Sequence, residues 1–191
     1  MPHLVLIRHA APVVTLGMDA NDWPLSAEGR AGAAAFAENL AAYQPSHVVS
    51  SVEPKAAETA GIIAARLGVP VETVPGLHEH DRHGMGLLGR EGFEAAVARF
   101  FASPTELVLG GETAHEANER FWQAVTGIIA RADAERDILV VTHGTVLSLF
   151  AARAAGADPL ALWRSLRLPD AVTFSLPELR LVPLRAEGRA G

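Results

Sequence analysis

Arg8 and His9 directly follow the apolar run Leu4-Val5-Leu6-Ile7, and a second histidine, His143, closes the run Ile138-Leu139-Val140-Val141-Thr142. A guanidinium forks onto phosphate oxygens and a neutral imidazole is a nucleophile near pH 7, so an Arg-His pair can bind an anion and attack it. Ser50-Ser51 followed by Pro54-Lys55 adds a third segment, with an ammonium and the free N–H groups of a helix start, both suited to an anion. Gly144, after the second histidine, lets backbone come close to a ligand. Each segment also has an ordinary reading: a surface ion pair, a helix cap, a hydrogen-bonded core histidine. Their common position, just past an apolar run, sets them apart.

Those runs are the elements that must position the chemistry. Leu4 to Ile7, Val48-Val49, Val71 to Val74, Ile138 to Val141, Val172 to Leu176 and Leu179 to Leu184 read as six strands, the last two paired around a Pro177-Glu178 turn. Between them, Ala33, Phe36, Ala37, Leu40 and Ala41 recur at helical spacing behind a Ser26 cap. Ala56, Thr59, Ala60, Ile63, Ala64 and Leu67 do the same between Pro54 and Gly68. Thr113 and Glu116 form a capping-box pattern for a long helix, and Thr145 to Ala155 reads as a helix stopped at Gly156. The stretch from 78 to 92 reads as a loop, and Ala186 to Gly191 as a loose tail. Alternating strands and helices predict an α/β three-layer sandwich, with a mostly parallel six-stranded sheet flanked by helices. Ligands sit beyond the carboxyl ends of strands in such sheets, where Arg8, His9, Ser50, Ser51 and His143 all fall.

With 191 residues, 49% of them hydrophobic, and no evident linker, the expectation is a single domain spanning 1–191. Sixteen basic against 22 acidic residues give a net charge of −6 with no basic tract, which argues against nucleic acid or an anionic membrane as partner. Without a leader or spanning segment, a cytoplasmic enzyme is expected. The absence of cysteine removes thiolate nucleophiles and thiolate metal sites. Lys55 is the single lysine beside fifteen arginines.

Taken in order, the motifs resemble those of the histidine phosphatase superfamily, the phosphoglycerate mutase-like family. Leu4-Val5-Leu6-Ile7-Arg8-His9-Ala10 is similar to its N-terminal signature, with Ala10 for the usual glycine, and Trp23-Pro24-Leu25-Ser26-Ala27-Glu28-Gly29 to the stretch opening its first helix. Ser50-Ser51 through Glu58-Thr59-Ala60 resembles its second anion-binding segment, Leu77-His78-Glu79 its general-acid loop, Gly110-Gly111-Glu112-Thr113 a helix start, and Val140-Val141-Thr142-His143-Gly144 its closing motif. The resemblance implies a phosphoglycerate mutase-like fold and hydrolysis of a phosphomonoester through phospho-His9, without a cofactor or metal. It makes Arg8, Lys55 and His143 the neutralisers of the phosphoryl oxygens, with Thr15, Gly144 and Thr145 as further phosphate contacts. Glu79 becomes the proton donor and Asp81 the alternative acid. The implied substrate is a phosphorylated small molecule, with a phosphoprotein possible, and selectivity is expected from segments 10–24 and 78–110.

The chain departs from the pattern at Lys55, where the family has arginine, at Val52 for a proline, and at Thr15 for the asparagine of mutase-like members. Lysine offers a point charge where arginine offers a planar fork. Three other functions remain open: a mutase-like phosphotransferase, a non-catalytic phosphate or phosphoprotein binder, and a metal-dependent hydrolase. The last is suggested by His78-Glu79-His80-Asp81-Arg82-His83, which nearly spells a zinc-binding run. With Glu79 taken as the acid, His78, His80 and His83 read as solvated loop residues ahead of substrate contacts. His3, His47 and His115 are assigned to structure or surface. Trp23, Trp122 and Trp163 are assigned to core or interface.

Overall fold

The computed structural model describes residues 1–82 and 88–185. Six strands form one sheet: β1 (His3–Arg8), β2 (Pro45–Ser50), β3 (Val71–Thr73), β4 (Asp137–Thr142), β5 (Asp170–Ser175) and β6 (Arg180–Val182), in the order β3-β2-β4-β1-β5-β6. The pairs β3-β2, β2-β4 and β4-β1 are parallel, whereas β5 is antiparallel to both β1 and β6. The sheet is therefore mixed, with a parallel centre whose strands all end on the same side. Leu4 lies beside Ile138 and Arg8 beside Thr142, which brings the residues after β1 and β4, His9 and His143, side by side.

Both faces of this centre are covered, and for that reason β1 and β4 read as unbroken apolar runs. Val5, Ile7, Leu139 and Val141 face a layer made by α1 (Ala27–Glu38) and α2 (Pro54–Leu67), meeting Ala37, Ala60 and Ile63. Leu4, Leu6 and Val140 face the other layer, built from α3 (Arg90–Ala102), α4 (Ala114–Arg131), α5 (Gly144–Ala155) and α6 (Pro159–Ser165), with Phe100, Phe121 and Phe150 in its core. Each fully buried side chain of this size contributes about 1.5–3 kcal/mol relative to exposure.

The caps follow the sequence. The Ser26 side chain accepts from Gly29 N–H, Thr113 and Glu116 close a full capping box, and Gly68 and Gly156 end α2 and α5 in left-handed conformation. Gly29 is needed for contact: a Cβ there would sit 2.0 Å from the Ala11 carbonyl oxygen, so only glycine lets α1 begin against the strand that carries His9. Two helices exceed the sequence expectation. α3 begins at Gly89 with no side-chain cap, so nothing in the sequence marks its start, and it takes residues 90–92 out of the expected loop. α6 has only seven residues, but Asp158 caps it and Pro159 opens it. The 186–191 tail and His83 lie outside the described residues. No helix among those described is long and apolar enough to cross a membrane.

Candidate active site

The carboxyl ends of β1, β2 and β4 meet the starts of α2 and α5 around a pocket of about 150 Å³, lined by Arg8, His9, Lys55, Glu79, Arg82, His143 and Gly144 among others. His9 is fixed by its own neighbour: Nδ1 lies 2.7 Å from the Ala10 carbonyl oxygen, an acceptor, so Nδ1 carries the hydrogen and Nε2 keeps its lone pair. Burial, with smaller contributions from Lys55 and Arg8, lowers the His9 pKa to about 3, so the ring is neutral throughout the physiological range. Ala10 N–H is itself held by the Thr59 hydroxyl of α2, 3.1 Å away. The loop is thus tied down on both sides of the imidazole.

His143 stacks edge-on to His9, with ring centroids 5.1 Å apart. Its Nε2 meets the Ser51 hydroxyl at 2.9 Å, while its Nδ1 is buried without a partner among the described residues. Arg8 is anchored by Nη1 donating to the Leu166 carbonyl at 2.7 Å, and its Nε is likewise buried and unpartnered. Buried polar groups are almost always hydrogen-bonded, so two unpartnered nitrogens on one small pocket point to a missing acceptor. Gly144 makes this possible, because a Cβ there would come within 3.1 Å of Arg8 Nε.

Lys55 lies in the pocket wall, as the motif implies, but its ammonium is already engaged. It donates to the Ala20 carbonyl at 2.6 Å and makes a very short contact with the Glu53 carboxylate. Glu53, to which the sequence reading gives no role, also accepts the Glu79 N–H at 2.7 Å and lies 3.4 Å from His143 Nε2. Burial raises its pKa against the pull of Lys55. One buried carboxylate therefore touches three parts of the site.

Glu79 is buried and acts as the cap of α5, accepting the Thr145 and Val146 N–H groups at 3.2 and 3.3 Å. Burial alone would raise its pKa, but the adjacent Arg82 guanidinium, 3.1 Å away, and a hydrogen bond from His80 hold it well below the usual carboxylate range. A dianion entering the pocket would push it back up. Arg82 also donates to the Thr145 hydroxyl and His80 Nε2, which makes it a third cation on the pocket. Arg120 of α4 fixes the acid loop from behind, donating to the carbonyls of Gly76, His78 and Glu79 while paired with Glu112. Polar residues inside helices, such as Arg120, give no sequence signal of such a task.

Several expected residues stand elsewhere. Thr15 lines a neighbouring pocket rather than the one over His9. Thr145 serves Glu79 and Arg82, and does not line the pocket itself. Asp81 turns toward Gly111, and its N–H donates to Glu112, so this alternative acid is not among the lining residues. His80 is neither solvated nor at the pocket: it is fully buried, 4.5 Å from the Phe100 ring. His78 faces a different surface pocket. Among the described residues no group of three His, Asp or Glu side chains is arranged to hold a metal ion. Trp122 packs on Phe150 and Trp163 packs against the same core while also lining the pocket, whereas Trp23 lines the pocket and joins no core cluster among the described residues.

Comparisons with known proteins agree with this geometry. No curated protein matches the chain. Among solved structures, a mycobacterial glucosyl-3-phosphoglycerate phosphatase bound to vanadate superposes with a TM-score of 0.76 at 25% identity, covering 97% of this chain and 98% of that one. The Bacillus stearothermophilus protein YhfR gives 0.74 at 20% identity over 100% and 98% of the two chains. The alpha-ribazole phosphatase of Shigella flexneri gives 0.71 at 21% identity over 96% and 95%. The two less identical proteins speak to the fold alone. The family model described as histidine phosphatase superfamily, branch 1, matches residues 4–176, and the chain belongs to that family.

Proposed function

We propose that this protein is a metal-independent phosphomonoesterase working through a phosphohistidine at His9. The observation that carries the reading is the fixed tautomer of His9: a neutral imidazole whose bare Nε2 shares a small pocket with Arg8, Lys55 and Arg82. Phosphoryl transfer needs in-line placement and compensation of equatorial charge, and these cations supply the second. Nε2 attacks phosphorus, the bond to the ester oxygen breaks, and Glu79 passes a proton to the departing alkoxide. Water then attacks the phosphorus of phospho-His9, returns a proton to Glu79 and releases orthophosphate.

Glu79 is ionised in the empty site, and it becomes a donor when the phosphoryl dianion arrives. The substrate named for the mycobacterial relative supports a phosphorylated small molecule here. Quenching turnover and recovering an acid-labile, base-stable phosphoryl group on His9 is the expected result. Full activity in His9→Ala, or activity abolished by a chelator, would sink the proposal. Phosphate binding without any turnover would favour a non-catalytic binder.

A further inference from the structure

Small-molecule sites run from about 300 to 1,000 Å³, so the 150 Å³ over His9 accommodates a phosphoryl group and little of its alcohol. Ala20, Trp23, Arg82 and Phe93 line this pocket and also a second one of about 580 Å³. With Trp23 and Phe93, the apolar side of the second pocket is Val14, Met18 and Leu88, which are 61%, 43% and 47% exposed, while Thr15, Asp19 and Arg90 add polar groups to the lining. Apolar surface facing water beside a charged cleft marks a ligand site more often than it marks packing.

Two polar groups at the junction of the pockets, on Trp23 and Arg82, are spent on the protein. The Trp23 indole N–H donates to the Met18 carbonyl at 3.2 Å, which leaves the ring as an apolar surface. The Arg82 guanidinium lies over the Phe93 ring at 4.8 Å and directs its donors to Glu79, His80 and Thr145. Against the side formed by Val14, Met18, Trp23, Leu88 and Phe93, a polyhydroxylated alcohol would leave hydroxyls unpaired, whereas an aromatic body gains from burial and ring contact.

We infer that the second pocket receives the leaving group and selects alcohols with a flat, mainly apolar body, arylalkyl alcohols above all, over phosphosugars; this rests on His9 being the phosphoryl acceptor. The ester oxygen sits at the junction of the two pockets. When its bond to phosphorus breaks, the alcohol leaves with the Glu79 proton into the apolar side.

Binding and turnover test this separately. Calorimetry on the intact protein compares 2-(1-naphthyl)ethylphosphonate with methylphosphonate, and kcat/KM compares 2-(1-naphthyl)ethyl phosphate with glucose 6-phosphate, both esters of primary alcohols. The naphthyl compound is expected to win each comparison by about tenfold or more. Phe93→Ala, and Val14→Glu at an exposed position that cannot upset the core, are expected to bring both ratios near parity. Equal phosphonate affinities, a preference for glucose 6-phosphate, or ratios that survive both substitutions would overturn the assignment. Preferential binding with no hydrolysis of either ester supports the pocket and counts instead against His9 as nucleophile.

Discussion

The two ends of the parallel strands each bury charge, and they treat it differently. At the amino end, Asp137 accepts the His3 and Gln44 N–H groups and pairs with Arg185, whose other nitrogen reaches His3 Nδ1 and the Met1 carbonyl while the guanidinium lies 5.1 Å from the Tyr43 ring. At the carboxyl end, Arg8 Nε and His143 Nδ1 have no partner among the described residues, and three cations share one small pocket. A closed network of this kind ties chain segments together, here both termini and the start of β2. An open one spends folding energy to keep donors ready for something else. Burying a charge is therefore no sign of function by itself; the difference lies in unfilled nitrogens gathered on one pocket beside several cations.

Substitutions at the two ends should separate these roles. The largest effect is expected for His9→Ala, with kcat lowered on the order of 10⁴-fold or more and unfolding unchanged or improved. Lys55→Ala should lower kcat/KM by roughly 10²-fold through lost charge compensation. Glu53→Gln should cost about tenfold, because it removes the charge that holds Lys55 and leaves one acceptor oxygen for both Lys55 and the Glu79 N–H. At the other end Asp137→Ala should cost about 2–4 kcal/mol by denaturant unfolding, since it strands buried donors, while kcat/KM stays within about twofold. Equal losses of activity at the two ends would erase the distinction.

A further expectation concerns pH. His9, His80 and His143 are all held neutral by burial, with folded pKa values below the usual histidine value, that of His9 at about 3. The unfolded chain takes up their protons first, so stability falls as pH drops below about 6.5, by up to about 1.4 kcal/mol per pH unit for each histidine. Thermal unfolding between pH 7.5 and 5 should show this decline. His80→Phe should flatten it, and an unchanged slope in that variant would remove His80 from the account.

Residues that end apolar strands were legible in the sequence: Arg8, His9 and His143 fall where β1 and β4 stop, and strand order alone brings them together. The capped helices α1, α2, α4 and α5 were legible for the same reason, since Ser26, Thr113, Gly68 and Gly156 are local signals. Glu53 and Arg82 were not, because their roles depend on which loop folds over which strand end and on a charge balance visible only in space. His80 shows the converse. Its neighbours suggested solvent or metal, while packing on Phe100 of a helix without a start signal made it a core residue. Trp23 lacked any periodic companion, and only the meeting of two pockets gives its ring a place.

The bonds from Arg120 to three loop carbonyls, those of Gly76, His78 and Glu79, give the site a mechanical asymmetry. Glu79 sits in a loop held by an 18-residue helix, and His9 directly follows a central strand, so both are tethered to large elements. The facing wall, made of Val14, Met18 and Trp23, belongs to a surface loop carrying no reacting group. Reshaping that wall for another alcohol would leave the phosphoryl chemistry where it stands, which makes the specificity of this enzyme separable from its reaction.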